Sequence, residues 1–532
     1  MDILISTLVI LFTTNLAMVF QKAYFHKISV NYVALFFGMI LGLVPLLNNL
    51  VEDFQSEVFM ELIVAPLLFF EGQNTQLYYV KRFWKSIVGL TVVMIVIIEL
   101  VAGFSLYYLT GMNMAFCFLL AAIATPTDAT AGESVTHGLK VPRKVVYYLR
   151  NESLFNDASG LVLLAMMVSW YVNKNLVIIK SISQLFIAVI GGIALGIISS
   201  LLLAMIRQRT MQSSSLEDSS FSLNTPVQIA YLMTPFLLYF LAEEIHVSGV
   251  ITVVVAGLVH NAEHQRSKLT NPQMVFVGNQ LSNIFTDVLN GSVFVILGLV
   301  LVRLLEEDIF NSQTIMAILV GIILLYVINI LIRYLYTFLT EFRHNQKKAW
   351  TFSLGGVHGA VTFALAYTLT EETIKLSDIH FALLASSTLI ILSMVVPTIV
   401  FRFLLPKKVA DLDQIKEMRK VRKDMVEYAM LELDKIYLPE ALRRQLLYDL
   451  KAQLDEVSMK DFLKEMNTTV RRPDLKPHDR EFRDEVYRYA FRLERNYLGQ
   501  IAQSEQKYRE GFLKLYRETL MAEILFLGTK ED

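Results

Sequence analysis

Thirteen apolar runs, each about the length needed to cross the hydrocarbon core of a bilayer, follow one another through the first 405 residues. A crossing helix needs roughly 17–25 residues to span about 30 Å. In lipid every backbone N–H and C=O must find its partner inside the protein, so runs of this composition and spacing can fold only as helices. The runs fall at 3–20, 30–48, 56–74, 84–110, 113–133, 145–173, 178–206, 226–245, 247–262, 283–304, 313–341, 349–371 and 379–405. The chain therefore reads as an all-α membrane protein. Asp2 stands where a secretory signal would carry a basic start, and no small-residue cleavage site follows, so the first run is expected to stay as a helix.

The balance of charge divides the chain. Residues 1–405 hold 22 Lys+Arg and 24 Asp+Glu, whereas the much shorter 406–532 holds 26 and 25. The expectation is a transmembrane domain over 1–405 and a helical cytoplasmic domain over 406–532, whose Leu442, Leu446, Leu447, Leu450 and Leu454 keep helical spacing. Breaks are expected near Pro439 and Pro473. Arg471, Arg472 and Lys476 form a basic patch that reads as a solvated face. The single cysteine, Cys117, lies in an apolar run and excludes an intramolecular disulfide. No nucleotide-binding glycine loop, metal-ligand cluster or nucleic-acid signature is visible, and regulation is the role expected of this domain.

Loop charge sets the orientation. Sixteen basic residues lie in or beside the odd-numbered loops, Lys140, Arg143 and Lys144 among them, against Lys174, Lys180, Arg303 and Lys375 in the even-numbered ones. Basic loops stay in the cytoplasm. The N-terminus is therefore expected outside and the C-terminal domain in the cytoplasm.

Charged side chains at bilayer depth are costly, so an acid inside a span is a candidate for function. Two consecutive spans carry the main cluster: Ala124-Thr125-Pro126-Thr127-Asp128-Ala129-Thr130 in the fifth, and Asn151-Glu152-Ser153-Leu154-Phe155-Asn156-Asp157 in the sixth. Asp128 is about fifteen residues from the outer end of its span and Asp157 about twelve from the inner end of its own. At about 1.5 Å per residue both reach mid-membrane. Ser153 and Asp157 share one helix face and Glu152 and Asn156 the next. Pro126 removes a backbone donor, which predicts an unwound stretch near 125–128. Gly355-Gly356-Val357-His358-Gly359 predicts a second break near 355–359, in the span seven later and so of opposite direction. Spans 1–6 and 8–13 would then be inverted repeats joined by span 7, with the two broken helices crossing at the site.

These residues resemble the sodium/proton exchanger family, over roughly residues 1–405. Pro66 to Gly72, Ala242-Glu243 with His246 to Val250, Asn290 before Phe294 to Leu299, and Arg333 agree in order and spacing. The resemblance implies that Asp157 binds either cation or proton, and that Ser153, Glu71 and the Thr127 carbonyl complete the oxygen shell. It further implies that Asp128 and Asn156 hold the crossover, that Glu152 pairs with Arg333, and that the protein is a homodimer in the cell membrane. A neutral Asn156, where charge-moving relatives carry aspartate, implies electroneutral one-for-one exchange. His358 departs from the family's usual arginine; it either tunes the pH response or caps the broken helix as a neutral imidazole.

The function expected is exchange of Na+ or a similar monovalent cation for H+ by alternating access, with no enzyme activity and no cofactor. A K+/H+ antiporter of the same type, a cation channel and an ion sensor are the alternatives. An intramembrane enzyme would need a nucleophile with its base, or a His-Glu-x-x-His run, and neither is present. Glu61 and Asp287 read as solvated near span ends, and His137, His246 and His260 as interfacial. Glu99 is deep and lies outside every motif.

Overall fold

A computed structural model describes residues 2–25, 28–52, 56–75, 77–174, 178–214, 225–270, 272–306, 312–407, 410–454, 477–504 and 509–527. The described residues form helices joined by turns and unwound stretches, with one isolated backbone bridge, Leu139 with Lys407. The chain forms two compact units, Met1–Lys407 and Lys408–Asp532.

In the first unit the helices are α1 (Asp2–Tyr24), α2 (Val30–Leu43), α3 (Ala65–Asn74), α4 (Met94–Thr110), α5 (Met114–Ile123), α6 (Ala129–Val135), α7 (Arg143–Asn173), α8 (Ile178–Ser214), α9 (Thr225–Glu244), α10 (Gly249–Thr270), α11 (Pro272–Glu306), α12 (Ser312–Leu339), α13 (Gln346–Gly355), α14 (Ala360–Thr368) and α15 (Leu376–Leu404). Short helical pieces and π-helical turns, Met60–Val64 and Gly89–Val93, lead into α3 and α4. Seven of the described helices are long and apolar enough to cross a membrane. The interrupted helices α5/α6 and α13/α14 fall below that length because they are interrupted, and the total of thirteen crossings stays an expectation.

Packing repeats itself between the two halves. α2 lies along α11, and α10 lies along α3, which are equivalent pairs if spans 1–6 and 8–13 are repeats. α1 on α2 matches α9 on α10; α4 on α5 matches α12 on α13; α5 on α7 matches α13 on α15. α4 packs against its own counterpart, α12. Glycines set the closest approaches at corresponding places. A Cβ on Gly38 would sit 2.1 Å from the Val295 carbonyl oxygen, and one on Gly257 would sit 2.2 Å from that of Phe69. Small residues let backbones come together where apolar burial gives no advantage over lipid.

Boundaries follow local chemistry. Pro142 precedes α7, and Lys174 ends it in a left-handed turn with φ 58°. Asn113 begins α5 by accepting the Ala115 N–H at 2.9 Å. α11 starts at Pro272, eleven residues before the apolar run at 283, because a helix continues past the point where hydropathy stops reporting it.

The second unit packs α16 (Ala410–Leu433), α17 (Glu440–Ala452), α18 (Pro477–Ser504) and α19 (Arg509–Leu527) around Met425, Val426, Leu446, Leu450, Tyr487, Phe491 and Phe512. Pro439 stands at the start of α17, where a break was expected. Pro473 and the basic patch Arg471, Arg472 and Lys476 lie outside the described residues.

Candidate functional site

The two breaks meet and satisfy each other's backbone. After α5 ends, the Ala124 carbonyl accepts the Asn329 side-chain amide from α12 at 2.9 Å. The Pro126 carbonyl accepts the His358 ring Nδ1–H at 2.7 Å and the Thr362 hydroxyl at 3.1 Å. In the other direction, the Asp128 N–H donates to the Val357 carbonyl at 2.7 Å. Unwound backbone at membrane depth is tolerable when its polar groups are recovered in this way.

Asp128 serves both half-helices. As N-cap of α6, its Oδ1 accepts the Thr130 N–H at 2.8 Å, the Thr130 hydroxyl at 2.6 Å and the Ala131 N–H at 3.0 Å. Its Oδ2 accepts the Ala360 N–H at 3.2 Å, the first residue of α14. One carboxylate thereby faces the positive ends of two helices. Gly359 is required there, since a Cβ would lie 2.1 Å from Oδ2.

α7 passes beside the crossing, close enough that a Cβ on Gly160 would meet the Pro126 ring at 2.6 Å. Ser153 Oγ accepts the Ala129 N–H at 3.0 Å. Asn156 donates to the Thr127 hydroxyl at 2.8 Å and to Glu152 Oε1 at 3.3 Å. Glu152 and Arg333, both buried, form a two-pronged pair, with Nη2 to Oε2 at 2.8 Å and Nη1 to Oε1. The guanidinium lies 4.9 Å from the Phe352 ring, and a Cβ on Gly356 would overlap it at 2.1 Å. Asn329 and Arg333, i and i+4 on α12, thus hold the first break and the sixth-span acid from one face.

Asp157 lies one turn beyond Ser153, 2% exposed, with Oδ1 buried and without a hydrogen-bond partner. Glu71, Asp128 and Glu152 stand within electrostatic range of it. Among the described residues only Glu152 of these four acids is ion-paired, with Arg333, and Asp128 is committed to backbone and hydroxyl donors, which leaves Asp157 and Glu71 as the acids available to a cation or proton. Glu71 lines an open cavity of about 620 Å3 together with Ala129, Thr130, Glu133, Leu154, Asp287 and Asn290. Glu133 and Arg150 form an exposed ion pair, 2.5 Å, on its wall. Carboxyl, hydroxyl and carbonyl oxygens around an unpaired acid suit a hard cation rather than a transition metal.

The structure thus gathers Asp157, Ser153, Thr127, Asp128, Asn156, Glu152, Arg333 and His358 around the two breaks, with Glu71 lining the cavity and within electrostatic range of Asp157. Asn156 reaches the Thr127 side chain. His358 bridges to the opposite break by its ring, and its own N–H donates to Ser393 Oγ at 3.0 Å. Sequence reasoning missed Asn329, Thr362 and Ser393. Asn329 carried a readable signal, a lone amide in an apolar run four residues before Arg333; Thr362 and Ser393 carried none, because hydroxyls are common in membrane helices.

A family model described as "Sodium/hydrogen exchanger, transmembrane" matches residues 7–407, and the chain belongs to that family. It is a multi-pass membrane protein. Similar proteins include a sodium, potassium, lithium and rubidium/H+ antiporter of Bacillus subtilis, 27% identical over 76% of this chain and 62% of that protein. YjcE of Escherichia coli, named as an uncharacterised Na+/H+ exchanger, is 29% identical over 72% of this chain and 73% of that one. The chain spans about three fifths of the two Bacillus relatives it matches, 62% and 57% of their lengths. The sodium proton antiporter MjNhaP1 of Methanocaldococcus jannaschii has a similar fold, with TM-score 0.59 at 20% identity, over 76% of this chain and 98% of that one.

Proposed function

We propose that the protein exchanges Na+, or a similar monovalent cation, for H+ across the cell membrane at Asp157. The observation that carries this reading is a buried carboxylate oxygen without a partner, beside two interrupted helices whose own polar groups are already bonded to each other. A bare carboxylate there is costly to hold or to move. A proton or a cation removes that cost, and the two compete for the same oxygens. A protein that changes access only when the acid is neutralised cannot leak charge through its empty form, so competition alone yields obligatory exchange.

Ser153, Glu71 and the Thr127 carbonyl supply further oxygens. The cavity beside Glu71, lined by residues next to the basic odd-numbered loops, supports a cytoplasmic approach to the site, with the N-terminus outside and the C-terminal unit in the cytoplasm. Access alternates by movement of the crossed helices against the rest, and Asn156 in place of a second acid makes the exchange one-for-one. The protein works as a homodimer, and the second unit, Lys408–Asp532, is regulatory. K+ as substrate is the second reading, favoured by the Bacillus relative whose name includes potassium.

The test is cation-driven proton movement by the purified full chain in vesicles, run with Na+, K+ and Li+ in turn and with an imposed membrane potential. Saturable movement with at least one cation, insensitive to potential, is expected. Movement with none would remove the exchange reading, and strong dependence on potential would remove one-for-one stoichiometry.

A further inference from the structure

Glu99 is the deep acid that the site does not use. It lies on the inward face of α4 among Ile95, Ile98 and Ala102, is 3% exposed, and has both carboxyl oxygens buried without a hydrogen-bond partner. Its position on the facing helix can be counted. Gly89 abuts the Tyr336 hydroxyl, and Leu106 touches the position of Gly321, so α4 and α12 run antiparallel. Counting inward from both points sets Glu99 opposite residues 326–328. Tyr326 stands there, 6% exposed, and its hydroxyl is also buried and unpartnered. On the other side, Gly103 meets Phe118 of α5, which sets Glu99 level with Ala122, just ahead of the first break.

Among the described residues no ion pair compensates Glu99. α5 carries no charged residue and only Cys117 that could titrate. On α12, Arg333 is two turns away and committed to Glu152, and Tyr334 and Tyr336 lie further along. On α7, which also touches α4, Tyr148 packs in the cluster of Met94 and Ile98, and Glu152 and Asp157 belong to the site described above. An isolated carboxylate in such surroundings is far more costly than a neutral acid. A neutral acid has one O–H to give and a carbonyl to be given to, and a tyrosine hydroxyl supplies both roles.

We propose that Glu99 and Tyr326 form a second hydrogen-ion site, in the seam between α4 and α12, which holds a proton without competition from the transported cation. The inference rests on the exchange reading only in distinguishing two pH effects. Protons at Asp157 alter the apparent affinity for the cation, because excess cation displaces them. Protons at Glu99 alter the maximal rate, because α4 and α12 brace the first broken helix and Glu99 is not among the oxygens assigned to the cation.

Infrared spectra of the full chain in lipid, perfused near neutral pH with and without saturating Na+ or Li+, test it. The carbonyl band of a protonated carboxylic acid is expected to persist in saturating cation, to vanish in Glu99→Gln, and to shift in Tyr326→Phe. In vesicles, Glu99→Gln is expected to lose the pH dependence of the maximal rate while keeping that of the apparent affinity. A Glu99→Gln spectrum identical to wild type in that band, or a Glu99 band that disappears on adding cation, overturns the proposal. If instead no cation-sensitive band is lost in Asp157→Asn, the exchange reading fails and the Glu99 band still stands or falls on its own.

Discussion

Removing one member of the Glu152–Arg333 pair should cost far more than removing both. The two side chains are 0% and 1% exposed, so neither charge can be rescued by water. Deleting one partner of a buried pair costs about 3–5 kcal/mol, whereas replacing both with groups of similar volume is often close to neutral. Glu152→Gln keeps an amide oxygen for the guanidinium but leaves its charge uncompensated, and belongs at the lower end of that range. Arg333→Met leaves the Glu152 carboxylate with only the Asn156 amide at 3.3 Å, and also removes the charge stacked on Phe352, so it belongs at the upper end. Thermal unfolding of the purified protein in detergent should rank the double variant near wild type, then Glu152→Gln, then Arg333→Met. The double-mutant cycle isolates the coupling, since the two residues share one contact. Because Arg333 also lies against Gly356 at the second break, the double variant should fold yet exchange more slowly. An Arg333→Met protein that melts together with wild type would refute the reasoning, as it would mean that the bare carboxylate had found water or another partner.

Other outcomes follow from the same geometry. Gly38→Ala and Gly257→Ala each press a methyl against a backbone carbonyl oxygen, at 2.1 and 2.2 Å, and backbone cannot rotate aside as a side chain can. Each should lose at least the 1–3 kcal/mol, roughly, of an overpacked core, to similar extents in the two halves, whereas Gly499→Ala, with open space around it, should lose nothing in the same melting assay. In the second unit, burial pushes the Glu494 carboxyl up to about 7, opposed by the Gln453 amide donating to Oε1 at 2.9 Å. An acid raised in the folded state stabilises fully below its ordinary value, here 4.5, and that contribution is lost as pH rises through about 7. The shift corresponds to about 3 kcal/mol. Amide exchange of peptides around Val486 to Leu498 should therefore show weaker protection at about pH 8 than at about pH 5 after correction for intrinsic rates, and Glu494→Gln should abolish the difference; equal protection in wild type would contradict it.

Much of the site was legible because acids and a proline stand out in apolar runs, where each has a large cost. Asp157, Asp128 and the paired breaks needed only depth and direction. What was not legible depends on contacts between distant segments. The His358 bridge to Pro126 exists only once the two breaks cross, so the sequence left its two roles open. The ring nitrogen facing the Pro126 carbonyl carries a hydrogen, as it can in both the neutral and the protonated imidazole, so the contact is compatible with either role. The π-helical turns before α3 and α4 had no marker, since they arise from packing rather than composition. Helix ends beyond the bilayer, such as the first eleven residues of α11, escaped a reading based on hydropathy for the same reason that the thirteen runs were visible at all.

The central claim is that one carboxylate takes either ion. Asp157→Asn keeps the size and one oxygen of the side chain but can neither lose a proton nor balance a cation. Purified Asp157→Asn protein in vesicles should therefore melt close to wild type and show no cation-driven proton movement with Na+, K+ or Li+. Retained exchange in a folded Asp157→Asn protein would contradict the account.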